Sequence, residues 1–313
     1  MVPATAHFIW FGESLPFLYR VAVRSAALRG GFSRVVLHCE ERLVGTDGWD
    51  YLSNTPGFSH RCVDETVFTE LGGTLGPDLA HLFQSLSAPA AKANMVRAAI
   101  LMKEGGVYLD TDTITIGDLT ELRKAAGFFC GEERIVFPGD TTSRKGLRGL
   151  ARAGALLGLR DFYRRLPNGW RGFRAHEHHF ALAANNAVMG AEPGHPFVLG
   201  LLEAMVAMPP ERQQIRFALG THLLQAMLDR SQEDDVLRCD AGVFYPIAPE
   251  ISQHWFRKGS AAELGEMLLP ETKVVHWYAS VRTKEIVPGL RPQDVWRDRN
   301  VSAILRLASE FVD

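Results

Sequence analysis

The chain has 313 residues, of which 46% are hydrophobic and 22% charged, and its formal net charge is −2 at pH 7. This balance is typical of a globular protein and excludes a general electrostatic attraction to nucleic acid or to an anionic membrane. No apolar run is long enough to predict a transmembrane helix, and the first ten residues do not resemble a secretory signal. The four cysteines show neither a Cys-x-x-Cys pair nor a zinc spacing, so we expect reduced thiols and a cytoplasmic location.

The first part of the chain alternates strand and helix patterns. Residues 6–11 form an apolar, strand-like run, and residues 16–29 carry apolar side chains at helical spacing. Two further strand patterns follow, at residues 34–39 and 58–63. This order predicts an α/β domain with a mainly parallel central sheet.

A helix over residues 89–104 and a strand over residues 107–109 form the clearest pair of elements. Pro89 suits the first turn of the helix, and Gly105 and Gly106 end it. Asp110 and Asp112 follow directly at the carboxyl end of the strand. Ligands of open α/β sheets bind outside the carboxyl ends of the strands, so we expect a site here.

The two aspartates suit a divalent cation. Residues i and i+2 of an extended segment point the same way, so Asp110 and Asp112 can face one ligand. Two adjacent carboxylates repel each other unless a cation lies beside them, and Mg²⁺ or Mn²⁺ often binds one or two carboxylates together with substrate phosphates. The pattern therefore predicts a metal–diphosphate site. Two alternatives stay open: a solvated acidic loop, and a haloacid-dehalogenase-like phosphatase or phosphotransferase with Asp110 as nucleophile and residues 233–235 as its second acidic motif.

The middle of the chain is strongly basic. Residues 144–174 hold nine lysines or arginines against one acid, Asp161, and we interpret residues 144–184 as a helical insertion or subdomain within a single domain spanning 1–313. The basic run has three interpretations: a solvated helical face, a site for an anionic acceptor or the inner face of a membrane, and a nucleic-acid surface. Further on, we expect helices over 196–206, 220–229 and 301–311 and a strand over 273–278.

Four blocks in a fixed order carry a family resemblance. They read AHFIWFG at 6–12, KANMVRAAILMKEGGVYLDTD at 92–112, NNAVMGAEPGHPF at 185–197 and VVHWYAS at 274–280. Together they resemble the sugar-binding DXD glycosyltransferases. That family includes the initiating α-1,6-mannosyltransferase of yeast outer chains, capsular polysaccharide transferases and the catalytic domain of the clostridial glucosylating toxins. The block at 92–112 is far more specific than an Asp-x-Asp pair alone.

The resemblance implies a fold and an activity. The fold would be GT-A, a Rossmann-like α/β fold with a helical insertion or subdomain. The activity would be transfer of a hexose, with retention of anomeric configuration, from a nucleotide diphosphate sugar to a glycan, lipid-linked or small-molecule acceptor. The cofactor would be Mn²⁺ or Mg²⁺, a UDP-sugar is expected ahead of a GDP-sugar, and no nucleic-acid partner is expected. A non-catalytic nucleotide-sugar-binding protein remains an alternative.

The resemblance also assigns roles to individual residues. Trp10 would stack on the base of the donor, and an amide of Asn185 or Asn186 would face the anomeric carbon. The complete expected set has three groups: donor contacts at Phe8, Trp10, Asn94, Arg97, Tyr108, Asp110 and Ser280; metal ligands at Asp110, Asp112 and His276; and catalytic groups at Arg97, Asp110, Asn185 and Asn186.

Two positions depart from the family pattern. Asn94 stands where the family usually has Asp, and Val281 stands where it often has Trp. Asn94 lies three residues before Arg97 and shares its helix face. We expect this substitution to change the sugar that is tolerated and to leave Arg97 without a charged neighbour.

Overall fold

The computed structural model describes residues 1–69, 71–136, 147–279 and 286–312, without the side chains of residues 147 and 148. The strands are β1 Thr5–Trp10, β2 Arg34–Cys39, β3 Phe58–Cys62, β4 Gly106–Leu109, β5 Thr113–Thr115, β6 Phe128–Ile135, β7 Ala181–Ala191, β8 Val236–Cys239 and β9 Val274–His276. The α-helices are α1 Phe17–Arg29, α2 Trp49–Ser53, α3 Leu75–Ser85, α4 Pro89–Glu104, α5 Thr120–Ala125, α6 Leu147–Arg165, α7 Gly169–His176, α8 Pro196–Ala207, α9 Pro210–Gln213, α10 Leu223–Leu228, α11 Ala241–Phe244, α12 Leu264–Met267, α13 Pro292–Arg297 and α14 Ala303–Ser309.

Seven strands form the central sheet in the order β3-β2-β1-β4-β7-β6-β8. Strands β3, β2, β1 and β4 are parallel, and β6 is parallel to β8, whereas β7 runs antiparallel to both of its neighbours. The mainly parallel sheet that the sequence predicts is therefore confirmed. Strands β5 and β9 form a separate antiparallel pair beside the carboxyl end of β4.

The junction of α4 and β4 depends on two glycines. Gly105 has φ of 63° and Gly106 has φ of 99°, in the region that favours glycine. A Cβ on Gly105 would also lie 2.7 Å from the carbonyl oxygen of Ala191, and one on Gly106 would lie 2.6 Å from that of Thr5. The helix can thus turn at once into a buried strand, and β4 is held in the middle of the sheet with Asp110 just beyond its end.

Helices cover both faces of the sheet. On one face, α3, α4, α8 and α10 pack a core that includes Met95, Leu101 and Phe197. On the other face, α1 packs against β1, β2 and β5. Within the described residues, no helix is long and apolar enough to cross a lipid bilayer.

The basic segment is helical where it is described, in α6 and α7, and it packs on the C-terminal part of the chain. Trp170 and Phe173 are buried with Trp255 and the residues of α14. Arg164 donates to the carbonyl of Glu250, and Arg174 donates to the carbonyls of Pro246 and Met267. Much of the basic charge is therefore used to attach the helices to the rest of the molecule. Arg144 and Lys145 lie outside the described residues.

Strand β7 is the principal element that the sequence patterns do not predict. Its 11 residues include Asn185 and Asn186. The strand lies between β4 and β6, and within it Asn185 is buried whereas Asn186 is partly exposed. The other expected elements appear with bounds shifted by a few residues, and α4 has the predicted bounds.

Candidate active site

A cleft of about 740 Å³ opens at the carboxyl ends of β1 and β4. Trp10, at the end of β1, lines it on one side, and Asp110 and Asp112, beyond the end of β4, lie at its floor. Asn94 and Arg97 reach it from α4, and Asn186 reaches it from β7. The sequence-predicted residues thus meet at the edge of the sheet where a ligand of an open α/β fold is expected.

Asp110, Asp112 and His276 form a cluster at the floor of the cleft. One potential ligand atom from each lies within 4.8 Å of the other two. Pairing of β5 with β9 places His276 opposite Thr113, one residue after Asp112. His276 Nε2 is 3.0 Å from Asp112 Oδ1, and the backbone N–H of Ala279 donates to Asp112 Oδ2 at 2.8 Å. Two segments that are far apart in the chain therefore bring together three side chains of the types that can bind a metal ion.

Charges within this cluster stabilise one another. Burial acts to raise the pKa of Asp112, but the charge and hydrogen bond of His276 outweigh it and lower that pKa. Burial likewise acts to lower the pKa of His276, and the carboxylate of Asp112 outweighs it and raises that pKa. The carboxylate is thus kept ionised in a buried position, which is the state in which it can bind a cation.

The cluster fits a divalent cation. Two carboxylates and an imidazole form a donor set that Mn²⁺ and Mg²⁺ accept. The Nδ1 atom of His276 has no hydrogen-bond partner within the described residues, so the imidazole is not fixed from both sides. Asp112 would bind such an ion directly, and Asp110 and His276 would complete the protein's share of the coordination.

Asp110 is fixed by Arg97 and Tyr108. Arg97 Nη2 donates to Asp110 Oδ1 at 3.1 Å, and the Tyr108 hydroxyl donates to the same oxygen at 2.5 Å. The guanidinium of Arg97 also lies over the Tyr108 ring, 4.1 Å from its centroid, and its Nη1 donates to the carbonyl of Asn186. The expectation that Arg97 lacks a charged neighbour is wrong, because Arg97 forms an ion pair with the carboxylate of Asp110.

Asn94 and Asn186 form an amide pair beside Arg97. Asn186 Nδ2 donates to Asn94 Oδ1 at 2.9 Å, and both side chains line the cleft. The pairing of β6 with β7 is irregular here: Cys130 pairs with Met189, but Gly131 pairs with Asn185, so three residues of β7 have no partner on β6. Such a bulge bends a strand and redirects side chains, and here it coincides with Asn186.

Two of the expected contacts do not reach the cleft. Asn185 is buried, and its Oδ1 accepts from the N–H of Ala187 at 2.7 Å and from the hydroxyl of Tyr245 at 3.2 Å. It supports β7 rather than facing a sugar. Phe8 lies two residues before the end of β1 and is fully buried in the core, so it cannot contact a donor. Ser280 lies outside the described residues.

Trp10 lies at the cleft as predicted, beside a tyrosine that the sequence analysis did not assign. The indole N–H of Trp10 donates to the carbonyl of Ser14 at 2.9 Å, and its ring packs on Tyr19 with centroids 4.9 Å apart. Burial, followed by the charge of Asp112, raises the pKa of Tyr19 to about 12. Tyr19 therefore stays neutral and completes an aromatic wall between Trp10 and the carboxylates.

Residues 50–129 match the family described as "Glycosyltransferase sugar-binding region containing DXD motif". The matched range contains Asn94, Arg97, Tyr108, Asp110 and Asp112. The chain carries the sugar-binding region of a DXD-motif glycosyltransferase. The resemblance and the enzyme class expected from the sequence are thereby confirmed. A search of curated proteins finds no match to the chain.

Comparison with solved structures concerns the fold. Mouse xyloside xylosyltransferase 1 in its apo form has a TM-score of 0.50 and 14% identity, over 90% of this chain and 99% of that one. The UDP-bound glycosyltransferase domain of the YGT toxin has a TM-score of 0.43 and 10% identity, over 100% and 98% of the two chains. The expected GT-A fold is confirmed. At this level of identity, the likeness to the mouse enzyme establishes the fold alone.

The second acidic motif expected of a phosphatase lies far from Asp110. Asp235 Oδ1 accepts from the N–H of Gly127 at 2.5 Å, just before β6 begins. The first residues of β4 and of β6 both pair with Ala191, so Asp235 lies near the start of β4, whereas Asp110 lies beyond its end. A haloacid-dehalogenase arrangement is therefore not formed.

The segment over residues 214–221 also contributes to the cleft, and the sequence patterns do not predict this role. It lines the cleft beside Asn186 and includes a short π-helical stretch, Ala218–His222. Its sequence contains no spacing typical of a strand, a helix cap or a metal site. Its one signal is Gly220, whose backbone has φ of −117° and ψ of −118° inside the π-helical stretch.

Proposed function

We propose that this glycosyltransferase transfers a hexose from a nucleotide diphosphate sugar, with retention of configuration and with the help of Mn²⁺ or Mg²⁺. The observation that carries the proposal is the cluster of Asp110, Asp112 and His276 at the floor of the cleft, directly beside Arg97. The acceptor is a hydroxyl of a glycan, a lipid-linked glycan or a small molecule. Following the family resemblance, we propose UDP ahead of GDP as the nucleotide.

The cleft has separate regions for the parts of such a donor. Trp10 and Tyr19 offer flat apolar surfaces that suit a base. The metal cluster suits the diphosphate, where a bound divalent ion would stabilise the negative charge of the leaving group. Asn94 and Asn186 offer amide donors and acceptors that suit sugar hydroxyls.

Arg97 acts mainly by positioning. Its side chain is only 6% exposed, and two of its nitrogens are engaged by Asp110 and by the carbonyl of Asn186. It therefore links the carboxylate beside the metal cluster to the strand that carries the amide pair. We propose that its fixed positive charge also stabilises the departing diphosphate, because a preorganised charge in a water-poor site costs little reorganisation.

We take retention of configuration from the family resemblance, and the carboxylates that line the cleft bear on how retention is achieved. Among the described residues that line it, Asp110 and Asp112 are the carboxylates, and both belong to the metal cluster. A double displacement would need a further nucleophile on the opposite side of the sugar. We therefore propose front-face attack: the bond from the anomeric carbon to the diphosphate oxygen breaks, the bond to the acceptor oxygen forms, and the acceptor proton passes to the departing diphosphate oxygen.

Donor hydrolysis with and without Mn²⁺ tests this proposal. We expect release of nucleoside diphosphate from at least one UDP- or GDP-sugar, its loss on chelation, and a product of retained configuration by proton NMR. Equal turnover in chelator would contradict the metal role, and an inverted product would contradict front-face attack. Covalent phosphorylation of Asp110 would instead indicate a phosphotransferase, and tight donor binding without turnover a binding protein.

We also propose that the enzyme acts in the cytoplasm and that α6 and α7 serve chiefly as packing helices. Three of the four cysteines are buried and all are free, which is compatible with a reducing compartment. Arg160 and Arg164 pair with Asp161 and Glu250, and Arg171 pairs with Glu266. Cell fractionation tests the location. If the protein is recovered with the membrane fraction, and if charge reversal at exposed arginines of α6 and α7 abolishes that recovery, these helices bind a membrane and do not serve chiefly for packing.

A further inference from the structure

The amide end of the cleft is covered by the segment over residues 214–221. A Cβ on Gly220 would lie 2.7 Å from Asn94 Nδ2 and 3.1 Å from Asn186 Nδ2, so its backbone rests directly on the amide pair. The N–H of Gly220 donates to the carbonyl of Phe217 at 3.0 Å. The segment thus leads from the amide pair, where we place the donor sugar, to the outer part of the cleft.

Phe217 has an unusual conformation on this segment. Its φ is 70° in the left-handed region, which bulky residues rarely adopt and which costs on the order of 1–2 kcal/mol. Its carbonyl accepts from the N–H groups of Gly220 and His222, which holds the turn. Burial does not repay the strain, because Phe217 is 49% exposed and the adjacent Ile215 is 55% exposed. A strained, exposed aromatic residue on the wall of an active-site cleft points to a ligand.

The lining side chains have a clear order. Trp10 and Tyr19 lie at one end, the metal cluster follows, and Arg97 joins Asp110 to Asn186. Asn186 pairs with Asn94, Gly220 rests on both, and Phe217 lies beyond Gly220. If base, diphosphate and sugar occupy this cleft in that order, the next region in line is where the attacking hydroxyl must enter.

We propose that Phe217 is the platform of an acceptor subsite that takes a pyranose ring. The C–H face of a pyranose can pack on an aromatic ring, while the hydroxyls at its edge need polar partners. Gln214, Arg216 and Thr221 line the same part of the cleft, and the guanidinium of Arg216 lies 4.5 Å from the centroid of the Phe217 ring.

A long acyl chain would leave these polar groups unpaired, which makes a lipid tail the poorer occupant. The terminal ring of a free oligosaccharide and that of a lipid-linked glycan present the same chemistry. This inference rests on the proposed function, because it takes the amide pair as the place of the donor sugar.

Two substitutions at Phe217 distinguish the effect of losing the aromatic ring from the effect of disturbing the left-handed backbone. Phe217→Gly removes the ring but accepts φ of 70° without cost, so the variant keeps the turn. Phe217→Tyr keeps an aromatic face. Phe162→Ala, at an exposed phenylalanine on α6 that does not line the cleft, is the matched control. Each is assayed for donor hydrolysis and for transfer to methyl α- and β-pyranosides of glucose, galactose and mannose, and to a lipid-linked disaccharide.

We expect Phe217→Gly to lower the ratio of transfer to hydrolysis by about tenfold, the order of effect for losing one buried ring face. Phe217→Tyr and Phe162→Ala should keep the ratio of the original enzyme. Saturation-transfer NMR should show that the pyranosides bind the original protein and that their signals weaken in Phe217→Gly. Comparison of transfer to the free pyranosides with transfer to the lipid-linked disaccharide shows whether the acceptor ring belongs to a free sugar or to a lipid-linked glycan.

Several results would overturn the inference. Transfer that is unchanged in Phe217→Gly would show that the residue serves only the turn. Absence of binding and of transfer for every pyranoside, or transfer only to straight-chain alcohols, would exclude a pyranose platform. Because the NMR measurement needs no donor, it decides whether Phe217 binds a pyranose even if donor hydrolysis fails and the proposed function is wrong.

Discussion

The two ends of the cleft are lined by different kinds of polar side chain. At the carboxylate end, Asp112 lies 3.0 Å from the imidazole of His276, and its second oxygen accepts from the N–H of Ala279. At the amide end, Asn94 and Asn186 are neutral and pair with each other. Charged groups respond to charge that develops during a reaction, whereas amides distinguish arrangements of hydroxyls. The first end should therefore determine the rate of reaction, and the second the identity of the sugar.

The backbone differs in the same way. Regular pairing of β5 with β9 positions the carboxylate end. The amide end depends on a bulge in the β6–β7 pairing, on the unusual backbone of Gly220 and on the left-handed Phe217. Irregular segments can be altered without disturbing a regular sheet. Substitutions at the amide end should consequently change specificity at small cost to folding.

The largest expected effect is at Asp112. Asp112→Asn removes the charge that we propose binds a cation but keeps the side-chain shape, and we expect turnover to fall by about 10³-fold or more. The measurement is donor hydrolysis across a range of Mn²⁺ concentrations, with the melting temperature recorded in parallel. Asp78→Asn, at an exposed aspartate on α3, is the matched control and should keep full activity. Near-normal turnover of Asp112→Asn at low Mn²⁺ would show that the carboxylate end of the cleft does not determine the rate of reaction.

Local sequence was sufficient to predict where the two carboxylates lie and which helix precedes them. Residues 89–112 form α4, β4 and the start of the metal cluster within one continuous stretch, and their glycines, alanines and terminal acids each indicate the local structure. The position of Trp10 at the end of β1 was equally accessible. His276 was assigned only through the family resemblance, because its contact with Asp112 spans 164 residues.

The amide end was harder to predict for a physical reason. Whether Asn185 or Asn186 faces the cleft depends on a bulge, and the bulge arises from the pairing of β7 with β6, which lies about fifty residues earlier in the chain. Phe8 and Trp10 are two residues apart on β1, so their side chains point to the same face of the sheet. Only the packing of the core shows that Phe8 is buried there. The segment over 214–221 has no regular periodicity, and its single glycine, Gly220, is too weak a signal to place the segment at the cleft.

A second prediction concerns two buried histidines, His7 and His38, beside the start of β4. His7 Nε2 lies 3.0 Å from the carbonyl oxygen of Gly105, next to the start of β4, and His7 Nδ1 lies 3.1 Å from His38 Nε2. Burial lowers the pKa of His7 to about 4 and lowers that of His38 as well. The unfolded chain therefore binds more protons than the folded one between pH 6.5 and 4, so stability falls as pH drops through this window, by about 3 kcal/mol for His7.

Urea unfolding at pH 7 and at pH 4.5 measures this loss. His38→Gln retains an N–H donor toward His7 but cannot titrate, so the difference in stability between the two pH values should shrink. His81→Gln, at an exposed histidine of α3, should leave the difference unchanged. An equal loss of stability in all three proteins would show that other groups cause the acid sensitivity. Loss of this histidine pair should impair both ends of the cleft together, unlike a substitution at either end.

A third and smaller effect is expected at Trp10. If its ring stacks on the donor base, Trp10→Ala should weaken donor binding by about 1–3 kcal/mol, the usual scale of base–aromatic stacking. Trp10→Phe should lose less, because it keeps a flat ring beside Tyr19. The measurement is the donor KM together with the melting temperature. Equal destabilisation by both substitutions, with the KM unchanged, would show that Trp10 only packs on Tyr19.

The smallest effect on rate, and the most direct test of the comparison, is expected at Asn94. Asn94→Asp retains an oxygen that can accept from Asn186 Nδ2, so the pair should persist. It replaces an amide donor by an ionised acceptor, which changes the sugar hydroxyls that can be bound. It also places a second carboxylate on the helix face of Arg97, whose ion pair with Asp110 is already formed. We expect total activity with the best donor to change by less than about tenfold, while the order of preference among UDP- and GDP-sugars changes.

A donor screen on both proteins provides the measurement, with Asn94→Ala as the variant that removes the pair altogether. Asn94→Ala should lower activity with every donor, because Asn186 loses the partner that orients it. If Asn94→Asp keeps the same ranking of donors and changes only the overall rate, the amide end does not select the sugar. The division between a rate-determining and a specificity-determining end would then fail, and specificity would have to reside in the outer part of the cleft, around Phe217.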